Sequence, residues 1–85
     1  MATASLLNVE IRARDGIKYQ GQALSVSGIN QKGNFDILPQ HANFICTIEK
    51  KLTVRPPDGK LQEFNVENGV LHVSENKILA YLSVK

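Results

Sequence analysis

The chain has 85 residues, of which 42% are apolar and 21% charged, with a formal net charge of +2. This length accommodates one domain with one hydrophobic core, so we expect residues 1–85 to form a single domain, and the composition excludes a disordered chain. A single cysteine excludes an internal disulfide framework, and no apolar run approaches the roughly 20 residues of a membrane span. The small net charge gives no argument for nucleic acid as the main partner.

Alternating apolar and polar residues predict strands from the start of the chain. The first strand spans Leu7 to Ala13, with apolar side chains at every second position. Asp15-Gly16 predicts a turn, because glycine adopts positive φ without steric cost. A return strand follows from Ile17, and the spacing of Leu24 and Val26 predicts another strand.

The middle of the chain contains a glycine-bounded segment and one run of ambiguous period. Residues 28–33, Gly-Ile-Asn-Gln-Lys-Gly, are predicted to form a polar loop. Pro39 interrupts sheet pairing, since proline lacks an N–H donor. Phe44 to Leu52 fits both a helical stripe and a strand, and its Phe, Ile and Thr content favours a strand.

Turn sequences divide the last third of the chain. Pro56-Pro57-Asp58-Gly59 predicts a turn, Asn68-Gly69 is typical of a two-residue β-hairpin, and Glu75-Asn76-Lys77 predicts another turn. The result is about eight short strands with turn signals roughly every 8–12 residues. This pattern predicts an all-β fold of about eight to ten strands, either a small antiparallel β-sandwich or a flattened barrel.

No arrangement of side chains predicts a catalytic or metal centre. His41 lies in a proline-bounded loop and is a candidate general base or metal ligand, but no second ligand lies near it in a metal-binding spacing. The strand neighbours of Cys46 favour a buried, inert thiol, and those of His72 favour a surface or packing role. We therefore predict no catalytic residue, no metal and no cofactor, with an enzyme built on His41 as an open alternative.

Basic residues cluster around the turn at residues 56–59, and they leave a second alternative open. With a sequence pI of about 8.9, they permit a small basic β-barrel that binds nucleic acid. A solvated rim explains the same charges, and five aromatic residues without Trp give little material for base stacking. The basic residues are Lys50, Lys51, Arg55 and Lys60.

Residues 33–44, Gly-Asn-Phe-Asp-Ile-Leu-Pro-Gln-His-Ala-Asn-Phe, resemble the central motif of a known family. This is the N-terminal β-sandwich domain of the epsilon subunit of F-type ATP synthase, called delta in mitochondria, which typically reads Gly-Glu-(apolar)-Gly-Ile-(apolar)-Pro-Gly-His-Ala-Pro there. Segments at 7–11, 19–27, 67–73 and 76–78 resemble further family motifs in the same order. The positions kept in the central motif are Gly33, Ile37, Leu38, Pro39, His41 and Ala42.

The chain also departs from the family pattern. Asp36 and Gln40 stand where glycine is common, and Asn43 stands where proline is usual. From these changes we expect a loop geometry that differs from the family's. Most members continue into a C-terminal helical hairpin that regulates ATP hydrolysis, whereas this sequence stops at Lys85. We interpret it as a short form that lacks the hairpin, with a truncated chain as the alternative.

The resemblance implies a non-catalytic subunit of the rotating central stalk, peripheral to the membrane on its cytoplasmic face. Its partners would be the gamma subunit and the ring of c subunits, and it would couple ion translocation to ATP synthesis. His41 and the strand that begins at Phe44, with Cys46, would lie near gamma. The loop before the central motif would meet the c-ring through Asn30, Gln31, Lys32, Gly33 and Asn34.

Overall fold

A computed structural model describes residues 6–39 and 43–84, and these residues form seven strands and no helix. The part of the chain that is described therefore contains no helix that could cross a membrane. The strands are β1 (Leu7–Ala13), β2 (Gly16–Ala23), β3 (Ser25–Asn30), β4 (Gly33–Ile37), β5 (Phe44–Arg55), β6 (Gln62–Ser74) and β7 (Lys77–Val84).

The strands form one hydrogen-bonded sheet in the order β2-β1-β7-β6-β5-β3-β4. Five of the neighbouring pairs are antiparallel, whereas β1 and β7 run parallel. The sandwich is thus antiparallel, as predicted, except at this one pair. Parallel neighbours need a long crossover, and here the five strands between β1 and β7 supply it.

The sheet folds over on itself into a sandwich. Apolar side chains from all seven strands are almost fully buried in one cluster, and no helix among the described residues covers them. Only the opposite half of the sheet is left to exclude water from them, which confirms the predicted all-β sandwich. The core residues are Leu7, Val9, Ile11, Ala23, Val26, Ile37, Ile48, Leu52, Val54, Val66, Leu71, Val73, Ile78, Ala80 and Leu82.

Leu24 forms a corner between the two halves. It follows the last residue of β2 and precedes the first residue of β3, and its N–H donates to the carbonyl oxygen of Arg55 over 2.7 Å. Strands that turn a corner in this way pass from one layer of a sandwich to the other. The predicted strand through Leu24 is therefore interrupted by a bend at this residue.

β5 and β6 are long because bulges, not turns, bend them. Their register shifts between Ile48 and Lys50 in β5 and between Val66 and Asn68 in β6. The hairpin predicted at Asn68-Gly69 is wrong, since both residues lie inside β6. The two predicted strands on either side of this pair form one strand of 13 residues, which lowers the strand count to seven.

Of three further predictions, two are confirmed and one loop is shorter than predicted. The turn at residues 56–59 is present, and the Gly59 N–H donates to the Pro56 carbonyl oxygen over 3.1 Å. The ambiguous segment from Phe44 to Leu52 is a strand, as predicted. The predicted loop of residues 28–33 is shorter than expected, because β3 continues through Asn30 and only residues 31–32 form the turn.

Candidate protein-binding surfaces

The hairpin of β3 and β4 projects from the sheet. β3 pairs with β5 only from Ser25 to Gly28, whereas its pairing with β4 continues as far as Asn30 opposite Gly33. Residues 29–34, the hairpin tip, therefore extend past the last rung shared with β5. The structure brings all the predicted c-ring residues together in this tip, and those from Gln31 to Asn34 are exposed.

Local bonds stiffen the hairpin. The Lys32 N–H donates to Asn30 Oδ1 over 2.9 Å, which closes the turn from within. Gly33 has a φ of 114°, a conformation that favours glycine. Nearer the sandwich, Ser27 Oγ donates to Asp36 Oδ1 over 2.5 Å. The aspartate that replaces the family's usual glycine thus has a partner on the neighbouring strand.

The residues predicted to lie near gamma divide into two groups. His41 lies outside the described residues. Phe44 and Cys46 are half-buried and pack against the core from the first residues of β5. Burial raises the pKa of the Cys46 thiol, which supports the predicted inert thiol over a nucleophile. Ile45, between them, points the other way and is 67% exposed.

Ile45 belongs to an apolar patch on the outside of the sandwich. It is paired with His72, which is paired in turn with Leu79, and in the adjacent row Val70 is paired with Tyr81. Tyr81 is 50% exposed and Val70 43% exposed. We name Ile45, Val70, Leu79 and Tyr81 the apolar outer face. Sequence reasoning missed it, although apolar residues at three consecutive positions from Phe44 to Cys46 require one of them to point outward.

The outward positions on the other half of the sandwich are polar. There Lys51 Nζ lies 3.8 Å from Glu63 Oε2, and Ser27 is bonded to Asp36. The two outer surfaces of the sandwich therefore differ, and the apolar one is the candidate for a protein contact, since contiguous exposed apolar patches mark interaction sites. The polar outward residues are Ser25, Ser27, Asp36, Lys51, Thr53, Glu63 and Asn65.

A shallow groove of about 520 Å³ lies beside the apolar outer face. Leu79 is among the residues that line it, together with side chains that carry carboxylate, imidazole, ammonium and amide groups. The side chains that carry these groups are Asn8, Glu10, Gln20, Gln22, His72 and Lys77. Glu10 is bonded to Arg12, and within the described ranges no three His, Cys, Asp or Glu residues are grouped to hold a metal ion.

The sequence matches a known family over most of its length. Residues 6–80 match the family model described as the ATP synthase, Delta/Epsilon chain, beta-sandwich domain. The chain is 32% identical over 75 residues to the ATP synthase epsilon chain of a Nitratiruptor species, and 30% identical over 76 residues to that of Sulfurimonas denitrificans. These alignments cover 87% and 88% of this chain and 58% of each relative.

The fold also matches solved structures. A chain in the cryo-EM structure of Euglena gracilis mitochondrial ATP synthase, containing OSCP, F1 and c-ring, superposes with a TM-score of 0.84 at 15% identity, over 96% of this chain and 52% of that chain. A chain in the central stalk/c-ring structure of Tetrahymena thermophila mitochondrial ATP synthase gives 0.74 at 11% identity, over 95% and 66%. At this identity the likeness shows a shared fold, and the match over residues 6–80 shows that the chain belongs to the ATP synthase delta/epsilon family, through its β-sandwich domain.

Proposed function

We propose that this chain is a non-catalytic rotor subunit of the central stalk of F-type ATP synthase. In this role it links the gamma subunit to the c-ring and helps couple ion translocation to ATP synthesis. The observation that carries the proposal is the family match over residues 6–80. The chain spans little more than half the length of the curated relatives, so the proposal rests on what a β-sandwich alone can contribute.

The hairpin tip supports a contact with the c-ring. Its exposed residues carry amide and ammonium groups, which suit a wet and mostly polar contact rather than a dry apolar one. The turn is closed by its own side chain–backbone bond, so little conformational entropy remains to be lost on binding. The proposed contact residues are Asn30, Gln31, Lys32, Gly33 and Asn34.

The start of β5 supports a contact with gamma. We propose His41, Phe44 and Cys46 for this contact and add Ile45, whose exposed side chain continues into the apolar outer face. Partly exposed aromatic and aliphatic residues are typical of the central part of protein interfaces. A rigid sandwich with a polar contact at the hairpin tip and an apolar contact on the apolar outer face suits a subunit that joins two partners. This role needs no catalytic residue.

A subunit in this role lies close to the membrane but is not inserted into it. We propose that it is a peripheral subunit on the cytoplasmic face, held there by gamma and the c-ring. The nucleic-acid alternative loses support, because the comparisons give it none and one of its basic residues, Lys51, is already paired with Glu63.

Reconstitution tests the proposal. The chain is added to its cognate ATP synthase depleted of this subunit, and ion pumping and ATP synthesis are measured together with binding to gamma and the c-ring. We expect the chain to bind and to restore coupling. Absence of binding to the depleted complex, by a chain shown to be folded, would refute the proposal.

Paired variants test the gamma contact. Ile45→Glu places a carboxylate on the apolar outer face, and Thr53→Glu places one on the polar outer surface as the matched control. Burying an unpaired charge costs more than about 1.4 kcal/mol, so Ile45→Glu is expected to weaken gamma binding by at least about tenfold. Thr53→Glu is expected to bind within about twofold of wild type. Equal binding of gamma by both variants would show that Ile45 is not part of the interface.

A further inference from the structure

We propose that Phe35 is a positioning residue that fixes the direction in which the hairpin tip leaves the sandwich. Its ring packs on Gly28, and the pair stands at the point where the hairpin leaves the sheet. The inference rests on the proposed contact between the tip and the c-ring, and it adds a residue to that contact which does not itself need to touch the partner.

The ring of Phe35 occupies the space that a side chain at residue 28 would fill. Phe35 and Gly28 are paired across β3 and β4. A Cβ atom added to Gly28 would lie 2.4 Å from Cζ of Phe35 and 2.9 Å from its Cε2 atom. Phe35 is half-buried and packs against the hydrophobic core as well. Only glycine at residue 28 permits this arrangement, because any Cβ would displace the ring.

The position of this pair in the sheet allows it to determine the orientation of the tip. Gly28 is paired with Phe35 on one side and with Leu52 of β5 on the other. It is the last residue of β3 that pairs with β5, so the hairpin continues past it on its own ladder. The Phe35 ring therefore connects the buried core to the last anchored rung, directly before the projecting part begins.

Loss of the ring should change the direction of the tip without changing its local shape. The bond between the Lys32 N–H and Asn30 lies beyond the pair and does not depend on the ring. With Phe35 truncated, the rung at Gly28 loses its packing on the core and the tip samples more orientations. Binding then has to restrict this motion, and affinity for a fixed partner falls because preorganisation is lost.

The matched control is Phe64. It is also a half-buried phenylalanine packed on the same core, and it is paired with Leu52 from the β6 side. Phe64→Ala removes a ring of the same size without touching the rung between β3 and β4. Phe35→Leu serves as the conservative rescue, since a leucine side chain still covers Gly28. Thermal denaturation of each variant measures its loss of stability, so that Phe35→Ala and Phe64→Ala can be compared at a similar loss.

Two measurements are made on each variant: amide hydrogen exchange of residues 29–34 in the free chain, and cross-linking of Asn34→Cys to a cysteine in a c-subunit loop in the reconstituted enzyme. Every chain keeps Cys46, and a chain with Asn34 and Cys46 both intact gives the background cross-linking of this half-buried thiol. We expect Phe35→Ala to increase exchange in the tip by about tenfold and to reduce cross-linking by at least about fivefold. Phe64→Ala should leave both within about twofold, and Phe35→Leu should recover most of the cross-linking.

Equal exchange and equal cross-linking for Phe35→Ala and Phe64→Ala, at a similar loss of thermal stability, would overturn the inference and leave Phe35 as an ordinary core residue. Absence of cross-linking in the chain with an intact Phe35 would instead refute the c-ring contact of the proposed function. In that case the exchange measurement still decides whether the ring fixes the tip, so the two failures are distinguishable.

Discussion

Gly69→Ala is expected to destabilise the sandwich, because the backbone of β7 approaches residue 69 closely. A Cβ atom at this position would lie 2.7 Å from the carbonyl oxygen of Tyr81 and 2.9 Å from Cδ2 of Leu82. The leucine side chain can move, but the carbonyl oxygen belongs to a strand that is paired with β6 on one side and with β1 on the other. The added methyl group therefore forces two strands apart.

The size of the effect follows from two opposing contributions. Overpacking of a well-packed region costs about 1–3 kcal/mol. Replacing glycine with alanine restricts the unfolded chain and returns about 0.4–1 kcal/mol. The middle of each range, about 2 and about 0.7 kcal/mol, gives a net loss of about 1.3 kcal/mol. For a domain of this size each kcal/mol lowers the Tm by roughly 4–8 °C, so we expect the Tm of Gly69→Ala to fall by about 5–10 °C.

Gly21→Ala is the matched control for this prediction. Gly21 also lies inside a strand, but a Cβ added there would meet only the Tyr19 side chain, at 3.5 Å from its Oη atom, which is an ordinary contact. Urea and thermal denaturation of both variants, followed by circular dichroism, give the two changes in the free energy of unfolding. If Gly69→Ala is as stable as Gly21→Ala, the close approach of β7 does not constrain residue 69.

Three further predictions concern single side chains. Asn43→Ala should cost about 0.5–1.5 kcal/mol in a denaturant titration, because Asn43 Oδ1 accepts the Glu75 N–H over 3.1 Å. The side-chain hydrogen bond from Lys18 lowers the pKa of Asp15. Asp15→Asn should therefore be less stable than wild type above the ordinary carboxyl pKa of about 4, and this difference should vanish as the pH falls through the lowered pKa. A difference in stability that persists in strong acid would contradict this prediction. Burial raises the pKa of the Cys46 thiol, so iodoacetamide should alkylate the folded chain several-fold more slowly than the urea-unfolded chain at the same pH, and equal rates would show an accessible, reactive thiol.

Period-two alternation was sufficient to predict the all-β class and most strands, because strands such as β1, β5 and β7 have one buried and one wetter face, whereas β2 is exposed at nearly every position. It could not show which pair of residues forms a hairpin turn. Asn68-Gly69 has the stronger turn sequence, yet it lies in a strand. The two-residue turn that joins β6 to β7 is instead at Glu75-Asn76, where both φ angles are positive, at 49° and 61°. Continued pairing of β6 with β5 and β7 outweighs the local preference, and Gly69 serves close packing instead.

The candidate surfaces were predictable only in part, for a physical reason. The predicted c-ring residues, 30–34, are consecutive in the sequence, so the sequence alone is enough to identify this polar segment. The apolar outer face brings together residues from β5, β6 and β7, and which β6 side chains point inward depends on the bulge near Glu67. The buried positions of β6 change there from even numbers, as at Val66, to odd numbers, as at Leu71, and the place of such a change cannot be read from alternation alone.

Two departures from the family motif, Asp36 and Asn43, each form a side-chain hydrogen bond in this chain. Asp36 replaces a common glycine and accepts a hydrogen bond from Ser27. Asn43 replaces a usual proline, and its side chain accepts a backbone N–H that a proline side chain could not bind. The first bond joins β3 to β4 below the tip, and the second joins the start of β5 to the turn before β7. Both hydrogen bonds therefore lie at the bases of the two surfaces that we propose for the c-ring and for gamma, where they join neighbouring segments of the chain.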